Sequence, residues 1–576
     1  MKILKYFSGF LLATTMIFNS CQLDETLRDT PTMGNLQTEA DVTAVIRGLY
    51  SQLNDPSGFK FLGHIMLTVM ADDIYSTAGS EYGPYQDRSL TSTNTAPFWN
   101  RLYSTIGNAN SLIGTLDKLT FLSAAYKKRA LGEAYFIRAF SYYYLVRLYG
   151  GVPLNIEEAN ASTNFYKPRN TVDEVYAQIF KDMKAASSSL PLQGQIVAGE
   201  LGRASKGAAQ ALLAQAYLTY GNQLSLKGQA PTTNYQNASL YADSVINSAQ
   251  YNLLNDYGDL FDIAKENAAY KEVIFGVRFQ TDASARAQPA AGSEFALRFA
   301  SSNTWGVTAG GANGGNTYRV AHWFADYYRK GDYSNGISTF TPNIDYRNEK
   351  AFFQRGVNNV NKFFAVYPNI PGSTVPGSTT DGTINDPLLS KYIDATGKDG
   401  RNHGNDFFII RFAEVYLIKA EAENELNGNT AAARAAFNMV RARARRADGT
   451  ARLIPADITS VALTKDQLRL KIFDERGLEL VGEGQRWFDL VRMRSPLSAT
   501  QTMYEYQFKV ILNDAANFPR VLPTGFNTTT KRFTPTAANA VYAPILNVTV
   551  PKFLLFPIPA TEINQNANFG PQNTGW

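Results

Sequence analysis

Residues 474–490 read DERGLELVGEGQRWFDL, and this stretch decides how the rest of the chain is read. Charges of both signs are interleaved here with Leu478, Leu480, Trp487 and Leu490. A charge held that close to apolar anchors needs a partner, because burying it alone costs several kcal/mol. Arg476, Glu479, Glu483, Arg486, Trp487 and Asp489 are therefore expected to form a structural unit, an arginine–carboxylate network that pins a helix turn. The same carboxylates would serve as a hydrolytic pair only if two of them faced one another across an open cleft, roughly 5–10 Å apart.

Working outward, the segment continues a helical pattern over 464–481, preceded by helical patterns at 431–446 and 406–426. The first half reads the same way. Thr38 stands as an N-cap before Val42, Val45, Ile46, Leu49 and Leu53, which fall on one helical face. Further helices are predicted over 98–119, 123–149, 172–190, 204–220 and 238–249, with Gly150-Gly151, Pro191 and Gly221 as stops. Leu131-Gly132 with Tyr135, Ala214 with Tyr217, and Leu417, Ala420, Gly428, Ala433 and Phe437 fit fragments of a tetratricopeptide repeat. Their irregular spacing predicts stacked helical hairpins in a closed body rather than an open solenoid. Residues 272–279 carry strand propensity, and the Gly-, Ser-, Thr- and Asn-rich stretches at 301–317 and 371–385 predict long loops. The fold class is thus mainly α, a tetratricopeptide-like hairpin scaffold with long loops and a few short strands.

At the start, Lys2 and Lys5 precede an apolar run from Phe7 to Phe18 that closes on Ser20, the layout of a signal peptide over 1–20. The one cysteine, Cys21, follows directly and is read as a lipid attachment site. Loss of Lys2 and Lys5 takes the formal charge from +5 to +3, and no basic run suggests a nucleic-acid partner. With Cys21 acylated, no internal disulfide forms, so stability must come from a large core. The chain holds 32 Tyr, 35 Phe and 5 Trp against 3 His, a balance that suits both helix packing and sugar-facing surfaces.

Several segments together resemble the SusD/RagB family of outer-membrane nutrient-binding lipoproteins from Bacteroidetes. They are the 474–490 block, residues 408–422 (FIIRFAEVYLIKAEA), residues 135–153 (YFIRAFSYYYLVRLYGGVP), and the tail Phe556-Pro557-Ile558-Pro559 with Glu562, Ile563 and Asn566. The resemblance implies an N-terminal helical region over 21–270 and a C-terminal region over 271–576, packed as one unit. The latter holds a loop-rich insertion (271–405) and the signature helices (406–495). It further implies a lipid-anchored, surface-exposed, non-catalytic protein that captures oligo- or polysaccharide and delivers it to a SusC-like TonB-dependent transporter. Peptide cargo, as in the RagB branch, is the alternative; a surface glycoside hydrolase is a third reading.

Ligand contacts in such proteins come from variable loops, so the residues must be argued from chemistry. Sugars present C–H faces and hydroxyl edges, which call for aromatic rings beside polar groups. Trp305 with Asn303 in a glycine-rich loop is one candidate cluster; Asp73, Tyr75, Tyr82 and Tyr85, the last two flanking Gly83-Pro84, form the other. The alternatives for these clusters are a buried loop plug and a transporter contact, respectively. His64, His322 and His403 lack metal-binding spacing, no G-x-S-x-G occurs, and Gly310–Gly315 lacks the Lys-Ser of a phosphate loop. No cofactor, metal or catalytic residue is expected.

Overall fold

The computed structural model describes residues 33–76, 79–86, 88–280, 292–299, 317–327, 345–352, 355–357, 363–366, 382–384, 387–394, 403–447, 450–451, 455–512, 521–527, 532–538 and 554–576. Cys21, Asn303 and Trp305 lie outside them, as does the predicted signal peptide. Helices dominate, and several, those after Thr38, Ser123, Thr171, Ser205, Thr430 and Thr464 among them, begin where a side chain satisfies an orphan amide of the first turn. Helix α1 (Glu39–Leu53) starts on a reciprocal capping box between Thr38 and Asp41 and buries Val42, Ile46, Leu49 and Leu53. A short helix α2 (Leu62–Val69), strand β1 (Ile74–Ser76) and helix α3 (Gly79–Gln86) follow.

Next come α4 (Ser92–Leu116), α5 (Ala124–Tyr149), α6 (Val172–Ser189), α7 (Lys206–Leu226) and α8 (Thr232–Ile246), each packed on its successor. Helix α4 begins six residues before the predicted start. Pro97 sits inside it, where a proline would ordinarily mark a boundary. Helix α7 runs straight through Gly221, which the pattern marks as a stop. The glycine is there for contact: a Cβ at this position would stand 2.8 Å from Cε1 of Tyr235 on α8. Tyr235 is buried, and its hydroxyl donates to Oδ1 of Asn222, so the two helices close on one another without room for a methyl group.

Strand β2 (Val273–Val277) pairs antiparallel with β4 (Phe407–Arg411), both fully buried, while β1 pairs with β3 (Tyr318–Val320) through Ile74↔Val320, Tyr75↔Arg319 and Ser76↔Tyr318. The predicted helix over 406–426 therefore divides: its first residues, Phe-Phe-Ile-Ile-Arg, are strand, and helix α10 begins at Phe412 (Phe412–Asn427). Run length and branching favour a buried strand here over helix, a distinction that periodicity alone does not make. A short helix α9 (His322–Tyr327) follows β3, and α11 (Ala431–Ala444), α12 (Lys465–Leu480) and α13 (Arg486–Arg492) complete the C-terminal set. Helix α10 packs on α8, α11 and α12, which joins the N-terminal array to the C-terminal helices.

The tail returns to the N-terminal half. Phe556 donates its amide to the Leu148 carbonyl at 2.7 Å, Thr95 donates to the Pro557 carbonyl at 2.9 Å, and the Asn573 amide bridges the Tyr149 and Phe556 carbonyls. The Phe-Pro-Ile-Pro motif is thus a strap across the end of α5. Among the described residues no helix is long and apolar enough to cross a membrane.

Two glycines on helices separate close approach from simple propensity. Gly48 on α1 has no atom within 4 Å of a built Cβ, so Gly48→Ala should stabilise by ~0.5–1 kcal/mol. Gly221→Ala should instead lower stability, because ~1–3 kcal/mol of overpacking against Tyr235 exceeds that gain. Urea unfolding midpoints of the two variants should move in opposite directions.

Candidate functional site

The 474–490 block closes the end of α12 onto α13, and all six residues singled out in it are buried. Glu479 is the hub. Its carboxylate accepts from Arg443, from Arg411 at 3.0 Å and from Arg347 at 3.0 Å. Arg411 also meets Glu272 at 2.8 Å and Glu483 at 2.7 Å, Lys391 reaches Glu483 at 2.7 Å, and Arg347 reaches Glu475 and Asp345 at 2.7 Å each. Arg347, Lys391, Arg411, Arg443 and the half-buried Arg441 together face Glu272, Asp345, Glu475, Glu479 and Glu483, so the cluster is neutral as a whole. Burial works against the ionised Glu479, yet the arginines around it hold its carboxyl well below the usual range. Lys391 goes the other way, held down at about 8 by burial against the pull of Glu483.

A second buried cluster adjoins the first. Arg476 bonds Glu414 and Asp489 at 2.8 Å each, and Arg492 bonds Asp489 at 2.7 Å and Glu421 at 2.6 Å. Glu414 and Glu421 also accept from Gln215 and Asn222 of α7. These contacts engage the block's carboxylates in side-chain pairs that fix helices, the opposite of a pair held apart across a cleft.

The block also positions the β1–β3 ribbon. Arg486 forms a two-pronged pair with Asp72 at 2.7 and 3.0 Å and lies 3.8 Å over the Phe473 ring. The Trp323 indole of α9 donates to the Asp72 carbonyl at 3.2 Å, and the Ala321 amide donates to the Asp73 carbonyl at 2.7 Å. Between α12 and α13 the chain turns at Gly482, whose φ of +75° belongs to the left-handed region and whose carbonyl accepts from the Tyr392 hydroxyl at 2.9 Å.

The second candidate cluster does not form an exposed platform. Asp73, Tyr75 and Tyr85 are 2%, 4% and 3% exposed, and the Tyr85 hydroxyl donates to the Asn94 carbonyl at 2.8 Å. A ring must show a face to stack on a sugar, and these rings spend theirs on the core. The reason is local: Gly83-Pro84 makes no turn but lies inside α3, which folds Tyr85 inward. Tyr82 sits on the same helix, one turn before Tyr85. Arg88 locks this segment down. It adopts φ of +59°, rare for a residue with a side chain. Its guanidinium donates to the carbonyls of Tyr85, Val69 and Met70 and lies 5.7 Å over the Trp487 ring.

Beside Arg486 lies a pocket of about 220 Å³ lined by, among others, Trp323, Phe473, Asp474, Arg486, Tyr506 and Gln507. Tyr506 and Gln507 come from a π-helical turn (Tyr506–Ile511), a rare geometry that recurs at functional sites. No sequence pattern marks this pocket, because Trp323 and Phe324 meet a wall drawn from residues 470–511, nearly 150 positions further along the chain. Among the described residues no group of three His, Cys, Asp or Glu side chains is placed to hold a metal ion.

Residues 271–576 match the family model described as the SusD family. The chain belongs to the SusD family. Residues 26–218 match a second SusD-like model, described as starch-binding and associating with the outer membrane. SusD-like protein P2 of Formosa agariphila is 29% identical over 80% of this chain and 84% of its own length. Among solved structures, a SusD homolog of Bacteroides thetaiotaomicron superposes with a TM-score of 0.74 at 19% identity, covering 94% of this chain and 98% of that one. A laminarin-binding SusD-like protein superposes with a TM-score of 0.65 at 21% identity, over 94% and 100% of the two chains. These structural likenesses establish the SusD fold: a helical body with few short strands, as the pattern of residues predicts.

The buried Asp73 generates a pH signature. Burial and the like charge of Asp72 push its carboxyl up to about 7, against the pull of Arg486. A group raised in the folded state favours folding below its unfolded value near 3.9 and loses that contribution as pH rises through the folded value. The melting temperature of Asp73→Asn minus that of the parent should therefore grow from about pH 4 to pH 7 and level off above. A difference independent of pH would show that Asp73 does not titrate in that window.

Proposed function

We propose that this chain is a glycan-binding protein of the outer-membrane surface, anchored through Cys21, that captures oligo- or polysaccharide and hands it to a SusC-like TonB-dependent transporter without cleaving it. The observation that carries the reading is membership of the SusD family across both halves of the chain. The laminarin-binding neighbour of the same fold supports a polysaccharide cargo. So does the aromatic and polar lining of the pocket beside Arg486, since sugars need apolar faces next to hydrogen-bonding edges. The non-catalytic reading rests on the signature carboxylates: Glu475, Glu479, Glu483 and Asp489 are held by arginines and lysine inside the protein, where they do not serve as an acid–base pair. Trp305 and Asn303 remain the proposed loop-borne ligand contacts.

Affinity electrophoresis in gels containing laminarin, starch or other polysaccharides tests this directly. Wild type should be retarded by at least one of them and release no reducing ends on prolonged incubation. Trp305→Ala should lose most of that retardation. Sustained release of reducing ends would overturn the non-catalytic reading, and retention unchanged in Trp305→Ala would remove that residue from the site.

A further inference from the structure

Gln507 is the observation from which the inference starts. Its side chain is 4% exposed, lines the pocket beside Arg486, and makes no hydrogen bond to another described residue. Its amide is not among the fully buried groups that lack a partner, so it opens into the pocket. An occupant that displaces solvent there must match two donors and an acceptor with two lone pairs, or leave a group unmatched at ~1–3 kcal/mol. The neighbouring guanidinium of Arg486 does not meet the need, because it is already engaged with Asp72 and the Phe473 carbonyl.

The rest of the lining has a consistent chemistry. Trp323 on α9 and Tyr506 on the π-helical turn bring half-buried rings from two separate elements, and Phe473 adds a third. Asp474, half-buried at the same pocket, brings a carboxylate that accepts hydrogen bonds when ionised. The volume of about 220 Å³ lies below the ~300–1,000 Å³ of pockets for drug-sized ligands, so the occupant is about one ring in size. A small ring with apolar faces, whose edge groups both donate and accept, matches aromatic walls combined with an amide and a carboxylate. An anion would meet Asp474, and a purely apolar ring would leave Gln507 unmatched.

We infer that the pocket between α9, α12 and the π-helical turn binds a single pyranose ring, with Gln507 and Asp474 on its hydroxyls and Trp323 and Tyr506 against its C–H faces. This inference rests on the glycan-binding reading and adds contact residues that no sequence motif marks. It makes the π-helical turn a specificity element, able to select the sugar at a chain end or branch.

The test uses saturation-transfer NMR and titration with methyl pyranosides of glucose, galactose and mannose, on the mature protein, alongside the polysaccharide gels. At least one pyranoside should saturate a single site. Gln507→Leu, which keeps the volume and removes the amide, should weaken that binding at least tenfold with an unchanged or raised melting temperature. Tyr506→Ala, at a half-buried position, should weaken it similarly. If wild type is retarded by polysaccharide but no pyranoside gives a signal, or both variants bind pyranoside as wild type does, this inference is overturned while the glycan-binding reading stands. If wild type binds neither polymer nor pyranoside, the glycan-binding reading fails and takes the pocket assignment with it.

Discussion

The buried carboxylate of Glu479, held between Arg347, Arg411 and Arg443, is the constraint from which the rest of the architecture follows. Each of those arginines comes from a different part of the chain: Arg411 ends β4, Arg443 closes α11, and Arg347 belongs to a short helix, Tyr346–Ala351. Hydrophobic packing alone does not choose one register of these elements over another, because apolar contacts are non-directional. Charges buried without water do choose. Every group must reach a partner in a fixed geometry, and removing one member of such a set costs ~3–5 kcal/mol. The C-terminal part of the protein is thus held in register by electrostatic matching inside an apolar body.

From that hub the organisation passes outward through short covalent steps. The left-handed Gly482 turns α12 into α13, Arg486 at the start of α13 grips Asp72, and Asp72 opens the β1–β3 ribbon. Arg88 then draws α3 against the Trp487 ring, and the tail straps the end of α5. The buried pairs take in turn residues as well, Asp72, Glu272, Lys391 and Glu483, so the network fixes the connections between elements together with the elements themselves.

How much of this the amino-acid sequence declares depends on the range of the physics involved. Helix starts are local, so Thr38, Ser123, Thr171 and Thr464 announce α1, α5, α6 and α12 to within a residue or two. Gly221 and Pro97 mislead because their roles are tertiary: one admits the Tyr235 ring, the other is tolerated within α4. Phe407–Arg411 misleads because a short buried strand and a buried helical turn share one composition. The charge alternation in 474–490 points to a buried network, but not to Glu272, Asp345 or Lys391 as its partners, which lie far away along the chain. Site residues are the least declared. Tyr75 and Tyr85 sit in a stretch that looks like an exposed turn and fold inward, whereas Tyr506 and Gln507 carry no motif and line a pocket.

Hydrogen–deuterium exchange on wild type and Glu479→Gln measures the central claim most directly. The substitution keeps shape and removes the charge that three arginines share. If Glu479 sets the register of the C-terminal elements, then amides of β4, α11 and α12 should lose protection together in the variant, while α1 and α6 remain protected. Loss confined to the residues around position 479, or no loss at all, would contradict the account.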